Sequence, residues 1–130
     1  MNFYSPAQAS QRSGFSLDTL RYYEKIGLLA GVARDSAGRR RFSDDDLTWL
    51  RLLRCLRDTG MPIAEMLRYT ELARAGEHTA AERRALLEEH DRRVAEQIDL
   101  LSRQREHIQW KIGIYRELTA PAPAADPVSA

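Results

Sequence analysis

The sequence is poor in the residues that build metal centres and disulfide frameworks. Its 130 residues include one cysteine, Cys55, and three histidines. A single cysteine allows a disulfide only between two chains, and it excludes a tetrahedral site made from the cysteines of one chain. The histidines, His78, His90 and His107, lack the spacing of metal ligands. We therefore expect no metal and no cofactor.

Long apolar segments are also absent. No apolar run approaches the roughly 20 residues of a membrane-spanning helix, and the first five residues do not place a charged leader before an apolar block. We therefore expect a cytoplasmic protein without a membrane span. The length suits one compact domain, or a small domain with an extension.

The net charge of +1 hides an uneven distribution. Residues 1–41 contain seven Lys/Arg against three Asp/Glu, whereas the remaining residues contain thirteen against sixteen. A basic segment on a nearly neutral chain is typical of a local phosphate-binding surface. We expect the N-terminal half to contact the partner.

Residues 16–29 predict a short helix rich in groups that bind DNA. A serine at its start is a good N-cap, and Gly27 can adopt the left-handed geometry that ends a helix. Upstream, the Ser-Pro pair at positions 5–6 predicts the start of another short helix that ends near Gly14. Two short helices joined by such a turn predict a helix-turn-helix whose second helix enters the major groove. The candidate DNA contacts on this second helix are Ser16, Thr19, Arg21, Tyr22, Tyr23 and Lys25.

The following segment predicts a β-hairpin, or wing. Its turn consists of the turn-forming residues 35–38, with extended segments on both sides. Arg39, Arg40 and Arg41 then form the densest positive cluster in the chain. Alternation in a strand places the first and third on one face and the second on the other. We expect these arginines to contact DNA, and the alternative is a solvated loop.

Two further helices are predicted between residues 44 and 73. Ser43 and the three aspartates after it cap the first helix, and Gly60 ends it. Pro62 starts the second helix, whose N-terminus is able to meet a phosphate. Apolar residues at helical spacing predict a buried stripe on the first helix, made of Trp49, Leu52, Leu53 and Leu56.

The C-terminal part predicts a dimerisation helix. After a break at residues 74–79, apolar residues recur at alternating spacings of four and three, interrupted by Asp91 and Arg105. This coiled-coil pattern lasts about four heptads, and a single helix cannot bury it. The chain is therefore expected to form a homodimer. The seam consists of Leu87, Val94, Ile98, Leu101, Ile108, Ile112 and Tyr115.

The N-terminal part resembles the MerR family of bacterial transcription regulators. The resemblance is strongest in the run at 19–29, Thr-Leu-Arg-Tyr-Tyr-Glu-Lys-Ile-Gly-Leu-Leu, and it continues through residues 38–51. The chain departs from the family at Arg39 and Phe42, where tyrosines are common. The resemblance implies a homodimer that binds a palindromic promoter site and distorts the DNA, so that RNA polymerase can use both promoter elements.

The segment around Cys55 resembles one branch of that family. Residues 49–60 are similar to the AdhR/NmlR-like regulators, which respond to aldehydes and other electrophiles and carry a cysteine at the matching place. The resemblance implies that Cys55 is the sensor, since a thiolate is the nucleophile toward carbonyls. The alternative is that Cys55 packs as a small hydrophobe and that a non-covalent small molecule is the signal.

Together these features predict a mainly α-helical protein. The expected domains are a winged helix-turn-helix at 1–75, an antiparallel coiled-coil dimerisation helix at 76–119 and a disordered tail at 120–130. A coiled-coil interaction adaptor is an alternative of another class, but it leaves the basic N-terminal part without a role. An enzyme is not expected, because no catalytic pairing of Ser, Cys or a carboxylate with a histidine is placed by the sequence.

Overall fold

The computed structural model of the protein describes residues 2–122. The mainly helical fold with a winged helix-turn-helix and a long C-terminal helix is confirmed. Most of the predicted tail, 120–130, lies outside the described residues. The elements are β1 Phe3–Tyr4, α1 Pro6–Ser13, α2 Leu17–Ile26, β2 Ala33–Arg34, β3 Arg40–Ser43, α3 Asp44–Asp58, α4 Ile63–Ala75, a 3-10 helix Glu77–Thr79 and α5 Ala80–Thr119.

The two helices of the helix-turn-helix begin and end where the sequence predicts. Ser5 and Gln8 form a reciprocal capping box at the start of α1, and the Ser16 side chain accepts a hydrogen bond from the Thr19 amide at the start of α2. Gly14 and Gly27 follow the two helices with φ of 80° and 93°. These left-handed conformations favour glycine, which explains why each helix stops there.

A small antiparallel sheet forms the wing, with the strand order β1-β3-β2. The predicted hairpin is confirmed, with Ala33 opposite Arg41 in β2 and β3. In its turn, the Asp35 carboxylate accepts 2.9 Å hydrogen bonds from the amides of Ala37 and Arg39. The bond from the Arg39 amide is the main cause that lowers the pKa of Asp35. Strand β1 was not predicted.

The hydrophobic core of the N-terminal part lies between α3 and its neighbours. Leu53 and Leu56 are buried as predicted, but the stripe continues through Leu47 and Leu50, and not through Trp49 and Leu52. These last two are only partly buried. Apolar residues occupy two adjoining faces of α3. The face that packs against the core is the one on which leucines recur every three residues, from Leu47 to Leu56. Each fully buried leucine stabilises the fold by about 1.5–3 kcal/mol.

The partly buried Trp49 serves a different purpose on α3. Its indole Nε1 donates a 2.8 Å hydrogen bond to the Leu28 carbonyl. Its ring also stacks on Tyr69 of α4, with 5.8 Å between ring centroids. Trp49 thereby links the segment after α2 to α4.

The predicted break at 74–79 overlaps the end of α4, and residues 76–79 separate α4 from α5. Within it, the Thr79 hydroxyl contacts the Leu72 carbonyl at 2.6 Å and the Gly76 carbonyl at 2.8 Å. The chain divides into two compact units, Met1–Asp91 and Arg92–Ala130. The predicted boundary between residues 75 and 76 precedes this division, and the domain limits stay a prediction.

The first turns of α5 belong to the N-terminal unit. Leu87, predicted as a seam residue, is partly buried against the core of that unit. Its role within a single chain is therefore core packing. His90 is 6% exposed and is also buried in this unit.

The second unit contains the rest of α5, where the predicted seam is uncovered. The exposed fractions of its large apolar side chains are 60% for Ile98, 64% for Leu101, 58% for Ile108, 43% for Ile112 and 55% for Tyr115. Val94, also a predicted seam residue, is partly exposed. Within residues 2–122, no helix has the length and apolar character needed to cross a membrane.

Candidate nucleic-acid interface

Helix α2 presents a polar and aromatic face. Arg21 and Lys25 are exposed, and Tyr22 is 50% exposed. Arg21 makes only an exposed ion pair with Asp18 at 3.3 Å, which holds it weakly and leaves its guanidinium able to change partners. These three side chains are placed as a DNA-binding helix requires.

Ser16 and Thr19 lie at the N-terminal end of the same helix. Their hydroxyl oxygens are 2.9 Å apart, and the Ser16 oxygen also accepts from the Thr19 amide at 3.1 Å. Their first role is therefore to cap α2. The N-terminal end of a recognition helix is also the part that approaches base edges.

Tyr23 corrects the predicted DNA-binding set. It is only 3% exposed, and its ring packs edge-on against Phe15 with 5.1 Å between centroids. Helical geometry accounts for this placement, because Tyr23 lies three residues after the buried Leu20 and so shares its face. Tyr23 packs in the core, whereas the adjacent Tyr22 faces outward.

The wing is attached to α2 through Glu24. The Arg40 side chain forms an ion pair with Glu24, and Arg34 approaches the same carboxylate at 3.6 Å. Arg40 is partly buried, as strand alternation predicts. It was predicted to contact DNA, but the structure engages it in holding β3 against α2. The wing and the recognition helix therefore form one surface.

Of the cluster at 39–41, Arg39 and Arg41 are exposed. Arg39 pairs with Asp35 of the turn at 3.3 Å. The Arg41 guanidinium lies over the ring of Phe3, 3.9 Å from the centroid, which is a cation–π contact. Phe3 thus joins the surface from β1, and only the three-dimensional pairing of β1 with β3 reveals it.

Two arginines from later helices hold the ends of the helix-turn-helix. Arg54 of α3 donates a hydrogen bond to the Gly14 carbonyl, and Arg74 of α4 donates one to the Gly27 carbonyl. A cation at the C-terminus of a helix also interacts favourably with the helix dipole. Neither contact is predictable from the sequence, because each joins residues at least 40 positions apart.

Cys55 lies exposed on α3. Within one chain it is therefore not the buried small hydrophobe of the alternative interpretation. Its carbonyl accepts a 2.7 Å hydrogen bond from the Thr59 hydroxyl. Asp58 nearby pairs with Arg54 at 2.6 Å, and the hydrogen bond from this arginine lowers the pKa of the Asp58 carboxyl.

No three His, Cys, Asp or Glu side chains in residues 2–122 form a group that could hold a metal ion. The arrangement instead offers exposed cations and aromatic groups on a helix and an adjoining wing. Such a surface suits the phosphates and groove edges of duplex DNA.

Comparison with known proteins agrees with this surface. The profile described as "MerR HTH family regulatory protein" matches residues 4–72, and the profile described as "MerR, DNA binding" matches residues 47–111. An uncharacterised HTH-type transcriptional regulator of Haemophilus influenzae is 41% identical over 117 residues, which are 90% of this chain and 87% of that protein. AdhR of Bacillus subtilis is 33% identical over 90 residues, which are 69% of this chain and 64% of AdhR.

Solved structures show the same similarity. The crystal structure of HiNmlR, a MerR family regulator lacking the sensor domain and bound to promoter DNA, is 40% identical with a TM-score of 0.85. The match covers 92% of this chain and 90% of HiNmlR. A MerR family regulator from Listeria monocytogenes is 36% identical with a TM-score of 0.80, over 86% of this chain and 85% of that one. These relatives are regulators and not enzymes, and the chain belongs to the MerR family of DNA-binding transcriptional regulators.

Proposed function

We propose that this MerR-type regulator binds a palindromic promoter site as a homodimer, through α2 and the wing of each protomer. The observation that carries the proposal is a set of exposed side chains on two adjoining elements. They are Arg21, Tyr22 and Lys25 on α2, and Arg39 and Arg41 on the wing. Arginine forks suit phosphates and guanine edges, and tyrosine hydroxyls suit phosphates. The promoter DNA bound to HiNmlR supports the same use of this surface here.

The uncovered seam of α5 supports the homodimer. Apolar side chains that are about half exposed or more, such as Ile98, Leu101 and Ile108, leave a large apolar stripe in water when the chain is alone. Pairing with the same stripe of a second chain removes that surface from water. The arrangement that we propose for this pairing is an antiparallel coiled coil, which two-fold symmetry allows.

The dimer distorts the promoter so that RNA polymerase can use both promoter elements. Distortion of this kind depends on the deformability of DNA as well as on base contacts. A change between two dimer conformations then switches the regulator between repression and activation. The protein acts in the cytoplasm, where bacterial promoters lie.

Cys55 is the proposed sensor of reactive aldehydes. Its exposure gives a small electrophile direct access. The thiolate sulfur attacks the carbonyl carbon, the π electrons of the C=O bond move to oxygen, and the alkoxide takes a proton from water to give a hemithioacetal. The resulting group adds volume at the surface of α3, and a small change in packing is able to favour another helix arrangement.

The test compares promoter activation by wild type and Cys55→Ala in cells exposed to formaldehyde or methylglyoxal. We expect Cys55→Ala to bind the operator as wild type does, because the DNA contacts lie elsewhere, but to lose induction. A footprint on the upstream region of its own gene checks operator binding for both proteins. Equal induction contradicts the sensor role and favours a non-covalent small molecule as the signal.

A further inference from the structure

His90 on α5 is a buried titratable residue outside the DNA-binding surface. It is 6% exposed, and its Nε2 lies 2.7 Å from the hydroxyl oxygen of Thr59. Thr59 is the C-terminal cap of α3 and lies one turn after Cys55. A side chain on the dimerisation helix therefore contacts the end of the helix that carries the proposed sensor.

The direction of the hydrogen bonds follows from the groups present. The Thr59 hydroxyl has one proton, and the Cys55 carbonyl, 2.7 Å away, can only accept. This single proton goes to the Cys55 carbonyl. The contact between Thr59 and His90 is then a hydrogen bond only when Nε2 of His90 carries a proton and donates it. His90 then donates to Thr59, which donates to the Cys55 carbonyl.

This chain of hydrogen bonds ties the backbone of Cys55 to α5. The Cys55 carbonyl also accepts from the Thr59 amide at 3.1 Å, so the last turn of α3 and its cap move together. The bond from Thr59 to Cys55 is exposed, but His90 is buried, and a buried donor that loses its acceptor is costly. A displacement of the Cys55 backbone therefore moves Thr59, which is the hydrogen-bond partner of His90. His90 lies on α5, which continues from there as one helix to Thr119.

We propose that Thr59 and His90 are positioning residues that transmit modification of Cys55 to the dimerisation helix. This inference rests on the proposed function, in which Cys55 is modified and α5 forms the dimer. The hemithioacetal displaces the last turn of α3, the bond from His90 to Thr59 is lost, and the first turns of α5 take another position. DNA contacts within each half-site stay unchanged, whereas the distortion between half-sites changes.

Two pairs of variants in the full-length chain test the coupling. Thr59→Val removes the hydroxyl at nearly constant volume, and Thr59→Ser retains it. His90→Asn places an amide near the position of Nδ1, whereas His90→Gln places a donor near Nε2. The measurements are formaldehyde induction of the promoter and operator affinity by fluorescence anisotropy. If Thr59→Val does not fold, the two polar His90 variants decide the question.

We expect Thr59→Val and His90→Asn to lose at least about fivefold in induction, the lower end of ordinary allosteric coupling, at unchanged operator affinity. Thr59→Ser and His90→Gln should retain induction, a rescue that a purely structural role does not predict. Wild-type induction in Thr59→Val and His90→Asn, with none in Cys55→Ala, overturns the coupling and keeps the sensor. Wild-type induction in Cys55→Ala overturns the sensor and the coupling together.

Discussion

Leu101→Asp tests the dimer through the centre of the seam on α5, where Leu101 is 64% exposed in a single chain. Burying a whole leucine side chain contributes about 1.5–3 kcal/mol, so covering the exposed part contributes about 1–2 kcal/mol. A symmetric dimer contains the residue twice, which doubles the loss to about 2–4 kcal/mol. An unpaired carboxylate in the seam adds its own desolvation cost. The lost burial alone should therefore raise the dimer dissociation constant about 30- to 1,000-fold, and the desolvation cost raises it further.

Sedimentation equilibrium at micromolar concentration without DNA measures the effect. We expect wild type to be a dimer and Leu101→Asp to be a monomer, with Leu101→Ala between them. Arg103→Asp is the matched control, because it changes the charge by more at an exposed position that is not part of the seam. A monomeric wild type, or a dimeric Leu101→Asp, would refute the coiled-coil argument.

Three further predictions concern the DNA surface and the wing. Arg21→Ala should weaken operator binding by about 1–3 kcal/mol if the arginine contacts a base, whereas Arg103→Ala should leave it unchanged in an anisotropy titration. Replacing Arg39 or Arg41 by glutamine should reduce the slope of log affinity against log salt by about 2 for each substitution, because the dimer contains each arginine twice, and an unchanged slope would exclude phosphate contacts there. The pKa of Asp35 lies below its usual value of 3.8, mainly because of the Arg39 amide. Its carboxylate therefore stabilises the fold above that value, and the contribution is lost as pH falls through the lower folded pKa. The urea midpoint of Asp35→Asn should accordingly differ less between about pH 5 and pH 3 than the wild-type midpoint does. An equal difference in the two proteins would contradict this role of the Asp35 carboxylate.

Local signals predicted the helix boundaries well. The caps at Ser5 and Ser16 and the glycine after α2, Gly27, act through residues only a few positions away, so the sequence alone contains the cause. Strand β1 was missed because its two residues are too few to show alternation. It exists because β3 offers a free edge to Phe3 and Tyr4.

Which of several adjacent, similar side chains is buried or paired was harder to predict. Tyr22 and Tyr23 are identical side chains, and Tyr23 is buried because it shares the face of Leu20 and packs against Phe15. Arg39, Arg40 and Arg41 are likewise adjacent, and of these three only Arg40 pairs with Glu24. On α3, apolar residues occupy two neighbouring faces, so spacing could not choose between them. For the wing the deciding contact joins Arg40 to Glu24, 16 positions away, which local spacing does not reveal.

The contacts that hold α2 also limit how its specificity can be engineered. Its C-terminal glycine, Gly27, is held by Arg74 from α4, and its Glu24 is held by Arg40 from the wing. If residues 16–29 alone were grafted into another helix-turn-helix protein, the helix would lose both supports and with them its orientation in the groove. A DNA-binding unit that is to be transferred with its operator specificity must therefore include the residues at positions 24, 40 and 74 together.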